Sequence, residues 1–319
     1  MKMYQAFKNQ IKPMNVFYDI SEAEGKVNNT VVTTGSFDGV HIGHKMIIKR
    51  MKELAAGIQG ESTLVTFHPH PRKVLYPEQK DLKLINSQEE KIDLLSKTGL
   101  HNLIIIPFTQ KFSKTTSSEF IADILIKQLN AKIIIVGKNH HFGHNRSGDY
   151  AYLHDLSKKL NFGVEEIPLK DIENETVSST KIRKALMQGN IMRANAYLDH
   201  QYIIHGNFSK SHNFTEIQNM IFFTIKIKEE EKLIPPNGMY ATNILLEGKF
   251  MKSMTIIHEL GQSKSVDTVL LFDKTNLNML NATLYFHKKM RGEKAVSIYD
   301  EFFKNEIAET KEEVEELLY

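Results

Sequence analysis

Between residues 30 and 189, short β-branched runs alternate with helix-patterned stretches, and this alternation limits the fold more than any other feature of the chain. "TVVTTG" ends in glycine and feeds a segment whose Ile47, Met51, Leu54 and Ile58 fall on one helical face. "STLVTF" reads as a second strand, and "SQEEKIDLLSKTG" as a helix that opens with Ser87 and Glu90 in capping-box spacing and stops at Gly99. "NLIIIPF" is the third strand; Thr116 and Glu119 repeat the capping spacing before "FIADILIKQL", which leads into the strand "KIIIVG". "DYAYLHDLSKKL", "GVEEIP" and "SSTKIRKALMQG" add a helix, a strand and a closing helix. The pattern predicts an α/β domain, an open, Rossmann-like, doubly wound parallel sheet with helices on its faces. Such sheets bind ligands beyond the carboxyl ends of their strands, where the polar loops after Thr34, Phe67 and Val136 fall.

From about Tyr202 the texture changes. "YIIHG", "NMIFFTIKI", "GMYATNILLEG", "FMKSMTIIHELG", "VDTVLLF" and "NATLYFHKKM" are β-rich and separated by Gly, Asn or Pro, which predicts a small all-β unit, sandwich or barrel. A C-terminal helix with an acidic outer face follows, read as a solvated surface. The expected limits are 1–186 for the α/β domain, 187–201 for a helical connection and 202–319 for the β-rich domain with its closing helix. With 41 basic and 38 acidic side chains the formal charge is +3, so charge gives no case for a nucleic-acid partner. The absence of cysteine excludes disulfides, thiolate metal sites and cysteine nucleophiles and suits a reducing compartment. The first twenty residues lack the apolar core of a signal peptide, and no apolar run approaches the ~18 residues of a membrane span. The expectation is a cytoplasmic protein without a membrane partner, a monomer or weak oligomer.

"GSFDGVHIGHKMIIKRM" holds the chemistry. His41 and His44 stand three apart at the start of a helix, on one face, beside amides that have no intrahelical partner. Free amides, the positive helix end and two imidazoles together suit a phosphate chain, and glycines at 35, 39 and 43 would let phosphates approach the backbone. Asp38 is placed to fix a histidine or cap the turn. Two blander accounts stand beside this one: the pair merely caps a surface helix, or His68, His70, His140, His141 and His144 join it around zinc. Three further stretches fall on the same predicted edge. "FHPHPRKVL" brings His68, His70 and Arg72; "VGKNHHFGHNRSGD" brings Asn139, His140 and Arg146; "VSSTKIRKAL" puts Ser179 and Thr180 at a helix start with Arg183 one turn in, a second anion site.

"GSFDGVHIGH", "FHPHP", "VGKNHHFG", "RSGD" and "VSSTKIR", in this order over about residues 28–200, closely resemble the adenylyltransferase domain of bacterial FAD synthetases. These are the bifunctional riboflavin kinase/FMN adenylyltransferases of the histidine-motif nucleotidylyltransferase superfamily. The resemblance implies that FMN attacks the α-phosphorus of ATP in line, forming FAD and releasing pyrophosphate, with Mg²⁺ accompanying the ATP and no metal held by protein side chains alone. It implies His41 and His44, with Arg183, as the catalytic set acting on the transferring phosphate. Gly35, Ser36, Phe37, Asp38, Gly43, Ser179 and Thr180 would bind ATP, and His68, His70 and Asn139 would help form the flavin end.

The second half more faintly resembles the riboflavin kinase domain of the same family, through "YIIHGNF", "LIPPNGMYA" and "MRGEKAVSIYDEFFKNEI", and this resemblance implies a small β-barrel of riboflavin-kinase type with a closing helix. Active members carry a glycine-rich loop and a Gly-Phe-Pro-Thr-Ala-Asn motif where this chain reads "SKSHNFTEIQNMIFFTIKI". The best match puts Thr224 at the threonine and Lys226 at the asparagine, a positive charge where Mg²⁺ needs a neutral oxygen. Asp267 stands at the position of the glutamate base. The expectation is an FMN adenylyltransferase whose kinase domain is degenerate; the rivals are a bifunctional enzyme with an unusual loop and a non-catalytic flavin- or nucleotide-binding regulator.

Overall fold

The structure, a computed structural model, describes residues 13–79, 82–138, 142–143, 148–168, 171–172, 175–211, 220–261, 263–271, 280–292 and 301–318. The chain forms two compact units, Met1–Leu82 with Lys91–Val177 and Lys83–Glu90 with Ser178–Tyr319.

The first unit is built on six strands: β1 (Asn15–Phe17), β2 (Thr30–Thr34), β3 (Glu61–His68), β4 (Asn102–Pro107), β5 (Ala131–Gly137) and β6 (Gly163–Ile167). They lie in the order β1-β4-β3-β2-β5-β6, and every pairing is parallel. From β2 the chain steps outward through β3 and β4, then crosses to the other side of β2 for β5 and β6. The β2/β5 gap is therefore a topological switch point, where a crevice opens beyond the carboxyl ends. The helices are α1 (Ile20–Ala23), α2 (Ile42–Gly57), α3 (Pro71–Leu75), α4 (Gln88–Ser96), α5 (Ser117–Glu119, continued by a π-helical stretch Phe120–Gln128) and α6 (Tyr150–Leu160). A short hairpin pairs β7 (Asp171–Ile172) with β8 (Glu175–Thr176).

Both faces of the sheet are apolar because both are covered. Val32, Val65, Ile104 and Ile134 pack with Phe120, Ile121, Leu125 and Leu153; their sequence neighbours Val31, Leu64, Leu103 and Ile135 pack with Ile48, Met51 and Ala55 of α2 and with Leu95. Both expected capping boxes form. The Ser87 hydroxyl accepts from the Glu90 amide while Glu90 accepts from the Ser87 amide, and Thr116 and Glu119 do the same.

The second unit is a closed antiparallel barrel, which decides between sandwich and barrel. Its strands are β9 (Tyr202–Lys210), β10 (Phe222–Lys226), β11 (Gly238–Leu246), β12 (Lys249–Leu260), β13 (Ser263–Leu270) and β14 (Leu280–Arg291), in the order β10-β13-β12-β11-β14-β9. Helices α7 (Ser179–Met187) and α8 (Ile191–Leu198) precede the barrel, and α9 (Glu301–Leu317) follows it. Tyr202, Ile204, Phe208, Tyr240, Leu284 and Phe286 are fully buried, while Phe222, Met239, Met254, Ile256 and Val269 pack with Ile307 and Val314 of α9. Residues 83–90 belong to this unit. Leu84 bridges to Lys232, and the buried Lys232 ammonium donates to Glu90 Oε2 (2.6 Å) and to the carbonyls of Ile85 (2.6 Å) and Ile203 (2.8 Å). It also lies 4.2 Å from the centre of the Tyr202 ring. No helix among the described residues is long and apolar enough to cross a membrane.

Candidate active site

The turn between β2 and α2 is the sharpest feature of the first unit. Phe37 (φ 47°), Gly39 (φ 93°) and Val40 (φ 42°) all take left-handed conformations, which cost a non-glycine residue about 1–2 kcal/mol each. The turn holds because the Phe37 and Val40 side chains are buried against α2. His41 then stands at the N-cap of α2 without a side-chain capping bond. The first helical turn presents its amides and positive pole at the β2/β5 switch point.

Three rings stack there. Phe37 and His44 have centroids 4.2 Å apart at 21°, and His44 and His41 have centroids 3.6 Å apart at 19°. His41 and the Phe37 ring are buried, His44 is half-buried, and the His44 Nδ1 is sealed from solvent with no hydrogen-bond partner among the described residues. Burial first, then the neighbouring His41 and Lys91, hold His44 well below the ordinary histidine range, so its imidazole is neutral at pH 7. The glycines have a further use. A Cβ at Gly35 would lie 3.2 Å from the Phe37 ring, and one at Gly43 would lie 3.2 Å from the His41 ring.

The neighbouring loops lie on the same carboxyl rim, because β3 and β5 flank β2. His68 ends β3 and is exposed, with a cis bond to Pro69. The His70 ring caps α3, its Nδ1 accepting from the Arg72 amide at 3.2 Å. Arg72 is exposed and reaches Gln79 Oε1 at 3.3 Å. Asn139, His140, His141, His144 and Arg146 lie outside the described residues. Among the described residues no three His, Asp or Glu side chains gather as a metal site. The sequence reading missed an aromatic cluster at this edge: Phe67 lies 5.5 Å from Phe108, 5.9 Å from Phe112 and 6.4 Å from Phe120. Its signal was present, since Phe67 and Phe108 each end a predicted strand.

In the second unit, Ser178 is the N-cap of α7, its hydroxyl accepting from the Lys181 amide at 3.4 Å. Ser179 and Thr180 therefore occupy the first two helical positions, and Arg183 follows one turn in. In the barrel, Thr224 of β10 pairs in register with Asp267 of β13, and Lys226 is exposed at the end of β10. Asp267 is fully buried. Its Oδ1 accepts from Ser211 (2.7 Å) and Thr224 (2.5 Å), and its Oδ2 from His258 Nε2 and Ser265, both at 2.8 Å. Burial alone would raise this carboxyl, but the four donors outweigh it and hold Asp267 below the usual aspartate value, as a carboxylate.

An imidazole pair on a helix N-terminus, at the switch point of a parallel sheet, suits the phosphates of a nucleotide, and the match to a family model makes the class that of the nucleotidyltransferases. The FAD synthetase family model matches residues 23–181, and the riboflavin kinase model matches residues 198–318. The chain is 27% identical over 300 residues to the bifunctional riboflavin kinase/FMN adenylyltransferase of Listeria monocytogenes, covering 93% of this chain and 91% of that protein. It is 35% identical over 179 residues to the FAD synthetase of the same species, covering 55% of this chain and 71% of the relative. A solved structure described as a macrolide-efflux protein from Streptococcus pneumoniae shares the fold, with a TM-score of 0.79, 21% identity, and coverage of 93% of this chain and 97% of the other. The chain belongs to the FAD synthetase family, the bifunctional riboflavin kinase/FMN adenylyltransferases.

Proposed function

We propose that the protein transfers the adenylyl group of ATP to FMN, giving FAD and pyrophosphate in one in-line displacement. An FMN phosphate oxygen forms a bond to the α-phosphorus while the bond to the β-phosphate bridging oxygen breaks, and pyrophosphate leaves with that electron pair. The chemistry asks for two polyanions to be positioned and for charge on the transferring group to be neutralised, which needs donors more than a strong base. The observation that carries the reading is the His44–His41 stack on the first turn of α2.

His41 and His44 serve the α-phosphate, with Ser36 and the amides around Gly43. Phe37 and Asp38 are both buried, so their part in ATP binding is to shape the turn. Ser179 and Thr180, whose hydroxyls are not needed as the cap, hold the remaining phosphates with Arg183, and Mg²⁺ enters as part of the nucleotide. Asn139, His68 and His70 belong to the flavin end, and the phenylalanine cluster offers ring faces suited to a flat aromatic substrate. In this reading the transferase module runs through residue 186, residues 187–201 connect it, and 202–319 form the kinase-like domain.

The kinase function is lost in this proposal. A general base must be free to receive a proton at a pH near its working range, whereas Asp267 is sealed, saturated by four donors and held as a weakly basic carboxylate. Lys226 adds a positive charge where Mg²⁺ would bind. The test incubates purified protein with ATP, Mg²⁺ and either FMN or riboflavin and separates the flavins by chromatography. FAD from FMN, with riboflavin unchanged, is the expected result. FMN formed from riboflavin would establish the bifunctional alternative, and no product from either flavin would leave only a binding role.

A further inference from the structure

We infer that Phe37 is a positioning residue for adenylyl transfer, acting through His44 by fixing the plane of the imidazole that meets the transferred phosphate. This rests on the assignment of His44 to that phosphate proposed above.

A functional imidazole is ordinarily oriented by a hydrogen bond from its far nitrogen to a carboxylate or carbonyl, which sets both tautomer and ring angle. His44 has no such bond, because its Nδ1 is sealed and unpartnered among the described residues. Its orientation must therefore come from its two faces. Phe37 covers one at 4.2 Å and 21°, and His41 covers the other at 3.6 Å and 19°. With Nδ1 shut away, Nε2 is the nitrogen left for a ligand, and the two flanking rings decide where it points.

Backbone and glycine geometry lead to the same place. Phe37 holds φ at 47°, a region that bulky residues avoid and that glycine would occupy without strain. The strain of an aromatic residue there is offset only by what its buried ring contacts. That ring is only 3% exposed, so it offers no surface to a nucleotide, and its contact with the site is through His44. Gly35 and Gly43 are not among the glycines with positive φ, so the backbone does not demand them. What they supply is clearance for the outer rings: a Cβ at Gly35 would press on Cδ2 and Cε2 of Phe37 at 3.2 Å, and one at Gly43 on the His41 ring at 3.2 and 3.3 Å. The sequence reading gave these glycines to phosphate approach, whereas the structure gives both of them a role in seating the stack. After burial, the neighbouring His41 and Lys91 both favour the neutral form of His44.

The test is steady-state FAD formation from FMN and ATP by the full-length protein and its Phe37→Leu, Gly35→Ala and His44→Ala variants. Phe37→Leu keeps an apolar side chain but removes the flat face, and is expected to lower kcat about 10- to 100-fold, the cost of a misplaced catalytic group. KM for both substrates should stay within about threefold of the parent, since leucine keeps the buried apolar side chain that shapes the turn. Gly35→Ala removes no side chain and displaces the Phe37 ring by a few tenths of an ångström. It should lower kcat in the same direction, and it decides the matter if Phe37→Leu does not fold. Unchanged kcat in these variants, or a rise in KM for ATP alone, overturns the inference while His44→Ala is inactive. Turnover by His44→Ala at the parent rate removes the assignment of His44 itself, and the role of Phe37 with it.

Discussion

Replacing Asp267 by asparagine separates a structural carboxylate from a catalytic one. The native carboxylate accepts four side-chain hydrogen bonds while fully buried. Asparagine keeps one acceptor oxygen, for Ser211 and Thr224, and turns an NH₂ group toward His258 and Ser265, which must switch tautomer and rotate to receive it. Charge-assisted bonds exceed neutral ones by on the order of 1 kcal/mol each. Four bonds weakened, offset by relief of a buried charge, leave a net loss of about 2–4 kcal/mol. For a unit of this size that corresponds to a fall of roughly 4–16 °C in Tm.

The pH dependence gives the second half of the test. Because the folded Asp267 is held below its usual value of 3.8, its contribution is fully present above that value and is lost as pH falls through the folded one. Urea unfolding followed by far-UV circular dichroism should show the parent–variant gap constant from pH 7 to 5 and narrowing below pH ~4. A variant as stable as the parent at pH 7, or a gap that widens in acid, would refute the reasoning. So would riboflavin phosphorylation by the parent that the variant lacks, since that would make Asp267 a working base.

For the buried Lys232–Glu90 pair, Glu90→Ala should cost about 3–5 kcal/mol in denaturant unfolding, while Glu90→Gln with Lys232→Met should cost less than the sum of its singles; additive losses would count against a coupled pair. His44 titrates well below 6.5 in the folded protein. The unfolded chain therefore takes up a proton that the folded chain refuses, so stability falls as pH drops below about 6.5, and His44→Gln should flatten that part of the curve. Ser178→Ala should cost about 1 kcal/mol through loss of the α7 cap. Ser179→Ala should leave stability within about 0.5 kcal/mol and raise KM for ATP; an unchanged KM would remove Ser179 from the phosphate site.

The strands of the first unit were legible because their runs are apolar on both faces, and the helices because capping boxes at Ser87 and Thr116 marked their starts. β1 was not, since "NVF" is too short for its period to register and it is held by pairing with β4. The barrel strands could be read from their pattern, but closure was expected only through the resemblance, because it lies in pairings such as β14 with β9 that cross long stretches of chain. The site followed the same division. Spacing put His41 and His44 on one helical turn, and motif order suggested nucleotide chemistry. That Phe37 stacks on His44, or that Asp267 gathers four donors, depends on a backbone angle and on strand register, which residue order does not encode locally. At α7 the sequence offered three consecutive hydroxyls and no means of telling that Ser178 is the cap.

The tie between Glu90 and Lys232 spans 142 residues of chain, and this separation orders events in time. At a synthesis rate of ~5–20 residues per second, the carboxylate leaves the ribosome roughly 7–28 s before its ammonium partner exists. During that interval the stretch from Lys83 to Glu90 stays hydrated while the sheet on either side of it is free to assemble. A chain cut after residue 177 would never leave that state, so an excised first unit would keep the Glu90 carboxylate solvated where the intact protein buries it.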